Sequence, residues 1–384
     1  MSIIERNRKN QEPGKFADGD TGEPKELKPV YRWLPATSFD ELRQKRGIDA
    51  RAVNKASYED FADVYAEIEW RKDYIISMWQ EIFTRLYDII RSLHAKDENG
   101  VVGVFGGVGG GRNLVISLLL NKDLKGIGYD YSGQMLEAAK NHLTWDDITN
   151  VVNWIAEVDP HVNGWIGDIK AKLKLMKESS ATIDDFLLQS LLPIGVINQD
   201  NDEGKTLDAY ISMKPRINEI TDQIQEQIVN LVKNRIKFQQ GTHQSIEFPP
   251  QSVDLIIDTA TYQHLSKEEV WSVVEKKIGE LAVGGYYYFS LRVDNAPLRM
   301  MSKGRYSATE GQPTGRIFCD NELNPGSEDA GIRYYTTWSS AELASLHEAL
   351  AEDPRVVIEK TWKSEALLIA EKPSHVIFLL KRTA

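Results

Sequence analysis

VVGVFGGVGGGRNLVISLLLNKDLKGIGYDYSGQML, residues 101–136, carries the pattern that decides the fold. Val101–Phe105 is a short β-branched apolar run, as expected of a buried parallel strand. Gly106, Gly107, Gly109, Gly110 and Gly111 follow at once. Glycine at that density lets the backbone double back tightly and lets a ligand approach without meeting a Cβ. Arg112–Leu120 has helical character, so its first N–H groups point toward whatever lies over the turn. A second strand, Gly126–Tyr129, ends at Asp130, 19 residues after Gly111. A carboxylate at that distance is where a nucleoside-binding βαβ unit accepts ribose hydroxyls. A dinucleotide GxGxxG fingerprint would need a glycine at Arg112 or Leu114, so a nicotinamide dehydrogenase is disfavoured.

Composition bounds the rest. The 384 residues are 41% hydrophobic and 27% charged, which is ordinary for a globular chain. The net charge of −11 argues against general nucleic-acid binding. The single cysteine, Cys319, leaves no disulfide framework or cysteine metal site within the chain and fits a reducing, cytoplasmic compartment. The N-terminus lacks the apolar segment of a secretory signal, and no run is apolar enough to span a membrane. His161 with Asp159 is too sparse for a metal site, and none is expected.

Taken in order, residues 1–37 are polar and punctuated by Pro and Gly, and read as a flexible arm. Residues 38–98 form a helical region. Its apolar positions Phe61, Val64, Tyr65, Ile68, Ile75, Trp79, Ile82, Phe83, Leu86 and Ile89 recur three and four apart. After Asp130, Ser132 is an N-cap for a helix over Met135–Leu143. Residues 145–235 show helical patterning without strand alternation and read as an all-α insertion. The α/β pattern returns at Ile236. It brings the strand Val253–Asp258, a capping box at Ser266 and Glu269, the strand Tyr286–Leu291 after Gly284–Gly285, a second capping box at Ser339 and Glu342, and a closing antiparallel pair, Val356–Thr361 and His375–Leu380.

The order of these segments resembles the class I S-adenosylmethionine-dependent methyltransferases, small-molecule branch. SYEDFADVYAEI (57–68), VFGGVGGGRNL (104–114), GIGYDYSGQMLEAA (126–139), FQQGTHQSIEFPPQSVDLIIDTATYQHL (238–265), LAVGGYYYFSLR (281–292) and YYTTWSSAEL (334–343) carry the resemblance. It implies an α/β fold: a Rossmann-like seven-stranded methyltransferase sheet spanning 99–144 and 236–384, with N-terminal helices, interrupted by the 145–235 insertion, whose helical patterning reads as a cap or a dimer interface. It also implies S-adenosyl-L-methionine as cofactor and S-adenosyl-L-homocysteine as product.

The resemblance assigns roles residue by residue. Gly106, Gly107, Gly109 and Gly111 cradle the methionyl part of the cofactor. Asp130 and the adjacent Tyr131 face the ribose, and Thr242 and His243 flank the adenine edge. Tyr58 and Tyr65 close over the sulfonium, although Tyr65 serves equally as helix packing. Two departures stand out. Phe105 occupies the position, two before Gly107, where similar enzymes carry an acid, and Gly241-Thr242 replaces their Gly-Asp. Asp258 at the end of its strand is a candidate to restore the charge for the cofactor ammonium, with a structural role as the alternative.

Tyr262, Gln263 and His264 follow that strand where related enzymes face the transferring methyl. His264 reads either as a general base or as a structural histidine. Arg292, Arg299, Lys303, Arg305 and Arg316 outnumber Asp294 and Glu310 between 292 and 316, which suits either a basic lid for an anionic acceptor or a solvated loop. Trp154, Trp165 and Phe186 in the insertion read as helical core or as an aromatic pocket. Methyl transfer needs alignment and exclusion of water more than acid–base help, so the acceptor atom stays open. The expected function is methylation of a small molecule. The alternatives are a protein or tRNA methyltransferase, or a protein of this fold that binds the cofactor without methylating.

Overall fold

The computed structural model describes residues 49–60, 62–95, 100–160, 217–293, 336–364, 368–369, 372–373 and 375–384. The arm at 1–37, the central 161–216 with His161, Trp165 and Phe186, and the basic stretch from Asp294 to Arg316 lie outside the described residues.

The described chain opens with helices α1 (Ala50–Asp60), α2 (Ala62–Glu69) and α3 (Lys72–Met78). A π-turn at Trp79–Phe83 leads into α4 (Thr84–Ser92). The periodic region is therefore several short helices, broken at Trp70–Arg71. Val64, expected on the apolar stripe, is half exposed.

Strand β1 (Val101–Gly106), helix α5 (Arg112–Leu120) and strand β2 (Leu124–Asp130) form the expected βαβ unit. Helices α6 (Gly133–Asn141), α7 (Trp145–Val158) and α8 (Ile217–Asn234) come next, then β3 (Ile236–Gln240) and β4 (Val253–Asp258). A short 3-10 turn, Tyr262–His264, leads to α9 (Lys267–Glu280) and β5 (Leu281–Arg292). Helix α10 (Ser340–Glu352), β6 (Val356–Lys363) and β7 (His375–Arg382) close the chain.

The caps are where the local sequence places them. The Ser132 side chain accepts from Met135 N, and Ser266–Glu269 and Ser339–Glu342 form complete capping boxes. β5 begins earlier than the Gly284–Gly285 pair suggests. Leu281 already pairs with Val253, whereas Tyr286 pairs with Leu255, so the extra residues bulge and Gly284 takes φ +82°.

The seven strands run β3-β2-β1-β4-β5-β7-β6. β1 pairs in parallel with β2 and β4, β2 with β3, and β4 with β5. β7 is antiparallel to both β5 and β6. This is a Rossmann-like sheet in the strand order that the resemblance implies, reversing at β1 and β4.

Alternation along the strands feeds two cores. Val101, Phe105, Leu255, Ile257, Tyr288 and Ile377 pack on one face, against α4, α5, α7 and α8. Val104, Ile256, Tyr287, Phe289 and Phe378 pack on the other, against α9 and α10. The described parts of the 145–235 segment belong to the first core. Ile148, Val151 and Ile155 of α7 and Ile224, Ile228 and Val232 of α8 are buried there, and Trp154 packs against it. These two helices cover the sheet and are not a cap over its end.

Candidate functional site

β1 ends in a turn built from left-handed glycines: Gly107 and Gly109 have φ +55° and Gly111 φ +85°. A side chain there would be strained, and a Cβ on Gly107 would lie 2.0 Å from Thr261 Cγ2. Gly111 is the N-cap of α5. Gly110 is gripped by two consecutive residues at the end of α2: its N–H donates to Glu69 Oε2 at 2.5 Å, and its carbonyl accepts from Trp70 Nε1 at 2.6 Å. Arg112 Nη2 lies 3.3 Å from Glu69 Oε1, a buried ion pair.

Above this turn is a cleft of about 220 Å³. Of the residues expected to meet the cofactor, Tyr58, Tyr65, Gly107, Gly109, Asp130, Tyr131, Thr242 and His243 line it, and so does His264. The walls come from α1 and α2 on one side and from the ends of β1, β2, β3 and β4 on the other. Ala62 and Ala66 of α2 pack on Met135 and Ala138 of α6, and these small residues bring Tyr58 and Tyr65 close to the sheet end.

Asp130 is buried. Its Oδ1 accepts from Ser132 N at 2.9 Å and its Oδ2 from Gly109 N at 3.3 Å. Burial pushes its carboxyl up to about 6, against the lowering effect of those N–H groups. Tyr58 stands edge-on to Tyr65, Tyr131 and His264, with ring centroids 5.7, 6.0 and 5.3 Å away. Its hydroxyl meets His264 Nε2 at 3.0 Å, and Asn54 Nδ2 donates to His264 Nδ1 at 3.3 Å. The histidine after β4 is thereby bound to α1 through both ring nitrogens.

The β3–β4 loop is fixed from beneath. Thr242 N donates to Ser245 Oγ at 2.8 Å, and Lys276 Nζ donates to the carbonyls of Gln244 and Ile246 at 2.9 and 2.8 Å. His243 Nδ1 is 2.6 Å from the Tyr129 hydroxyl. Burial, with Lys277 and Lys276 nearby, lowers the imidazole to about 3. The ring is therefore neutral, and the 3.9 Å approach of Nδ1 to Asp258 Oδ1 is no ion pair.

Several expected site residues sit elsewhere. Asp258 is fully buried beneath the turn and does not line the cleft, so it is not placed to meet a ligand ammonium. Its Oδ2 accepts from the Tyr262 hydroxyl at 2.5 Å, and Tyr262 in turn bonds the Tyr287 hydroxyl. Burial raises the Asp258 carboxyl to about 6 and holds the Tyr262 and Tyr287 hydroxyls protonated. Tyr262 is thus part of the floor beneath the site rather than a cleft residue.

Gly106 serves this same cluster. A Cβ there would lie 1.9 Å from Asp258 Oδ1 and 2.5 Å from the Tyr129 hydroxyl. Gln263 and Arg292 pair with each other, Nη1 to Oε1 at 2.9 Å, outside the cleft wall. Phe105 points into the helix-side core, where a carboxylate would be buried among Leu114 and its neighbours. Reading the sequence did not single out Glu69, Arg112, Asn54 or Tyr129. The first two lie 43 residues apart, so no local motif links them.

Among the described residues no group of side chains could hold a metal ion, and no helix is long and apolar enough to cross a membrane. No protein-family profile and no curated protein matches the chain. Solved structures do match. An S-adenosylmethionine-dependent methyltransferase of Leishmania major is 13% identical, covers 94% of this chain and 100% of its own, and has a TM-score of 0.42. The Burkholderia thailandensis 1,6-didemethyltoxoflavin N1-methyltransferase, solved with its substrate and S-adenosylhomocysteine, is 12% identical over 91% of this chain and 93% of its own, with a TM-score of 0.39. Phosphoethanolamine N-methyltransferase 1 of Haemonchus contortus is 13% identical, over 88% of this chain and 51% of its own, with a TM-score of 0.40.

Proposed function

We propose that the chain binds S-adenosylmethionine and transfers its methyl group to a small-molecule acceptor. The observation that carries this reading is the cleft at the reversal of the sheet order. There the left-handed glycine turn after β1 faces the buried Asp130 at the end of β2. In open α/β sheets such a crevice is where nucleosides bind.

The residues present fit the cofactor. Gly107 and Gly109 border the cleft with backbone alone, and Asp130 accepts from ribose hydroxyls. Thr242 and His243 border the place for the adenine. Asn113 Oδ1 and Thr261 Oγ1, both from cleft-lining residues, are buried and find no partner among the described residues. S-adenosylmethionine supplies a methyl group already activated on a sulfonium. The chain then has to hold the acceptor in line and keep water out, and α1 and α2 are placed to close over the turn. The Tyr58, Tyr65 and Tyr131 rings suit a positively charged group in the cleft. His264 also lines the cleft, but both its ring nitrogens are engaged by Asn54 and Tyr58, which supports a structural role in holding α1 against the site over that of a general base.

Calorimetric titration with S-adenosylmethionine and S-adenosylhomocysteine tests the first half. Transfer of a labelled methyl into a small-molecule extract tests the second. Binding of neither ligand overturns the reading. Binding without transfer to any small molecule leaves the cofactor and moves the acceptor to a macromolecule or to another reaction.

A further inference from the structure

The glycine turn lacks its expected acid at Phe105, yet it does not lack a carboxylate. Glu69 reaches it from the end of α2, and its Oε2 lies so close over the turn that a Cβ on Gly109 would be 2.8 Å away and one on Gly110 2.9 Å away. Arg112, the first residue of α5, pairs with it and is itself 7% exposed. Both side chains line the cleft.

We infer that Glu69 and Arg112 together form the recognition site for the zwitterionic amino-acid end of the cofactor, the carboxylate taking its ammonium and the guanidinium its α-carboxylate. The inference rests on the methyltransferase reading above and adds to it two residues to which the resemblance assigned no role.

Three observations support the assignment. A buried ion pair is a weak source of stability, because taking both charges out of water costs about as much as their attraction returns. This one stands on the wall of a cleft, where a ligand bearing both charges can share it. The pair is also incompletely satisfied. Arg112 Nε is buried and finds no acceptor among the described residues, and a carboxylate that already accepts from Gly110 N and Arg112 retains lone pairs for an ammonium. Finally, the order of charges matches the chemistry. One anion and one cation 3.3 Å apart complement an α-amino acid, whereas an anionic phosphate ligand would meet Glu69 with like charge.

The test compares S-adenosylhomocysteine with 5′-methylthioadenosine, which keeps the nucleoside and thioether but has no amino-acid end. Both are titrated calorimetrically into the full-length chain. The wild type is expected to bind S-adenosylhomocysteine more tightly. Glu69→Gln should weaken that ligand about tenfold, the worth of one charge-assisted hydrogen bond, and leave methylthioadenosine within about twofold. Arg112→Lys should act in the same direction.

Equal weakening of both ligands by Glu69→Gln would show that the pair only builds the turn and would overturn the inference. Should the variants fail to fold, the wild type decides alone through S-adenosylhomocysteine lacking its α-amino group. Loss of affinity supports the assignment, and unchanged affinity overturns it. Failure of the wild type to bind either nucleoside is a different result, since it overturns the methyltransferase reading itself.

Discussion

Tyr129 and His243 are joined in the lining of the cleft, hydroxyl to Nδ1 at 2.6 Å, with the tyrosine on β2 and the histidine in the loop after β3. Burial and the nearby Asp258 hold the tyrosine hydroxyl protonated, so it donates and Nδ1 accepts. The remaining imidazole proton is on Nε2, which gives the ring of this cleft residue a fixed tautomer. Tyr129→Phe removes the donor and leaves a buried acceptor without it. We expect a loss of about 1–3 kcal/mol in urea unfolding, with the S-adenosylhomocysteine affinity falling as well because the histidine is no longer fixed.

Asp130 should make ligand binding pH-dependent. Its carboxyl is raised to about 6 in the unliganded protein, and ribose hydroxyls need the ionised form as acceptor. Affinity for S-adenosylhomocysteine should be flat above about pH 7 and fall about tenfold per pH unit well below 6. Asp130→Asn should bind weakly at every pH and show no such slope. Titrations from pH 5 to about 8 would reveal it, and a flat wild-type profile would contradict the role given to Asp130.

Asp258 gives the opposite slope in stability. Its folded-state value of about 6 exceeds the ordinary 3.8, so the native state keeps a proton that the unfolded chain has released. Its contribution is therefore fully present below about pH 4 and is lost as pH rises through 6. Asp258→Asn retains an oxygen for the Tyr262 hydroxyl and removes the titration. The stability of the wild type relative to this variant should fall by up to about 3 kcal/mol between pH 4 and 6, and then level off. Urea unfolding of both proteins at several pH values measures it.

Gly107→Ala should close the site. The backbone is left-handed at φ +55°, and the new methyl would meet Thr261 Cγ2 at 2.0 Å. Strain in the turn costs about 1–2 kcal/mol, and Thr261, which lines the cleft, must shift. We expect S-adenosylhomocysteine binding to drop by more than about tenfold while the thermal transition stays cooperative. Unchanged binding would place the ligand away from the turn.

Tyr58→Phe separates closure from folding. It keeps the ring against Tyr65 and Tyr131 and removes the hydroxyl from His264. Amide exchange should quicken in Ala50–Asp60, by the worth of a bond of about 1 kcal/mol, while exchange in β1 and β4 is unchanged.

Much of the fold was legible because its signals are local. The β-branched runs, the glycine turn and the boxes at Ser266–Glu269 and Ser339–Glu342 depend on residues within one turn or one strand of each other. Their order along the chain then matched a known sheet. The start of β5 at Leu281 was not legible, because the bulge that accommodates Gly284 exists only against β4. The placing of α7 and α8 was obscure for a similar reason. Helical spacing shows that a helix has an apolar face, but not which surface that face covers.

The sequence by itself determined the glycine turn, the carboxylate at Asp130 and the topology that brings them together, since each follows from spacing within one βαβ unit. Tertiary structure alone decided which charges stand at the site. Asp258, at the end of a strand beside the turn, was drawn under the floor by Tyr262 and Tyr287. Glu69, one residue past the 57–68 segment and given no role by it, was delivered to Gly110 and Arg112 by the small alanines that let α2 approach α6. A side chain's reach is set by its backbone position, but what it meets there is set by packing between segments distant in sequence.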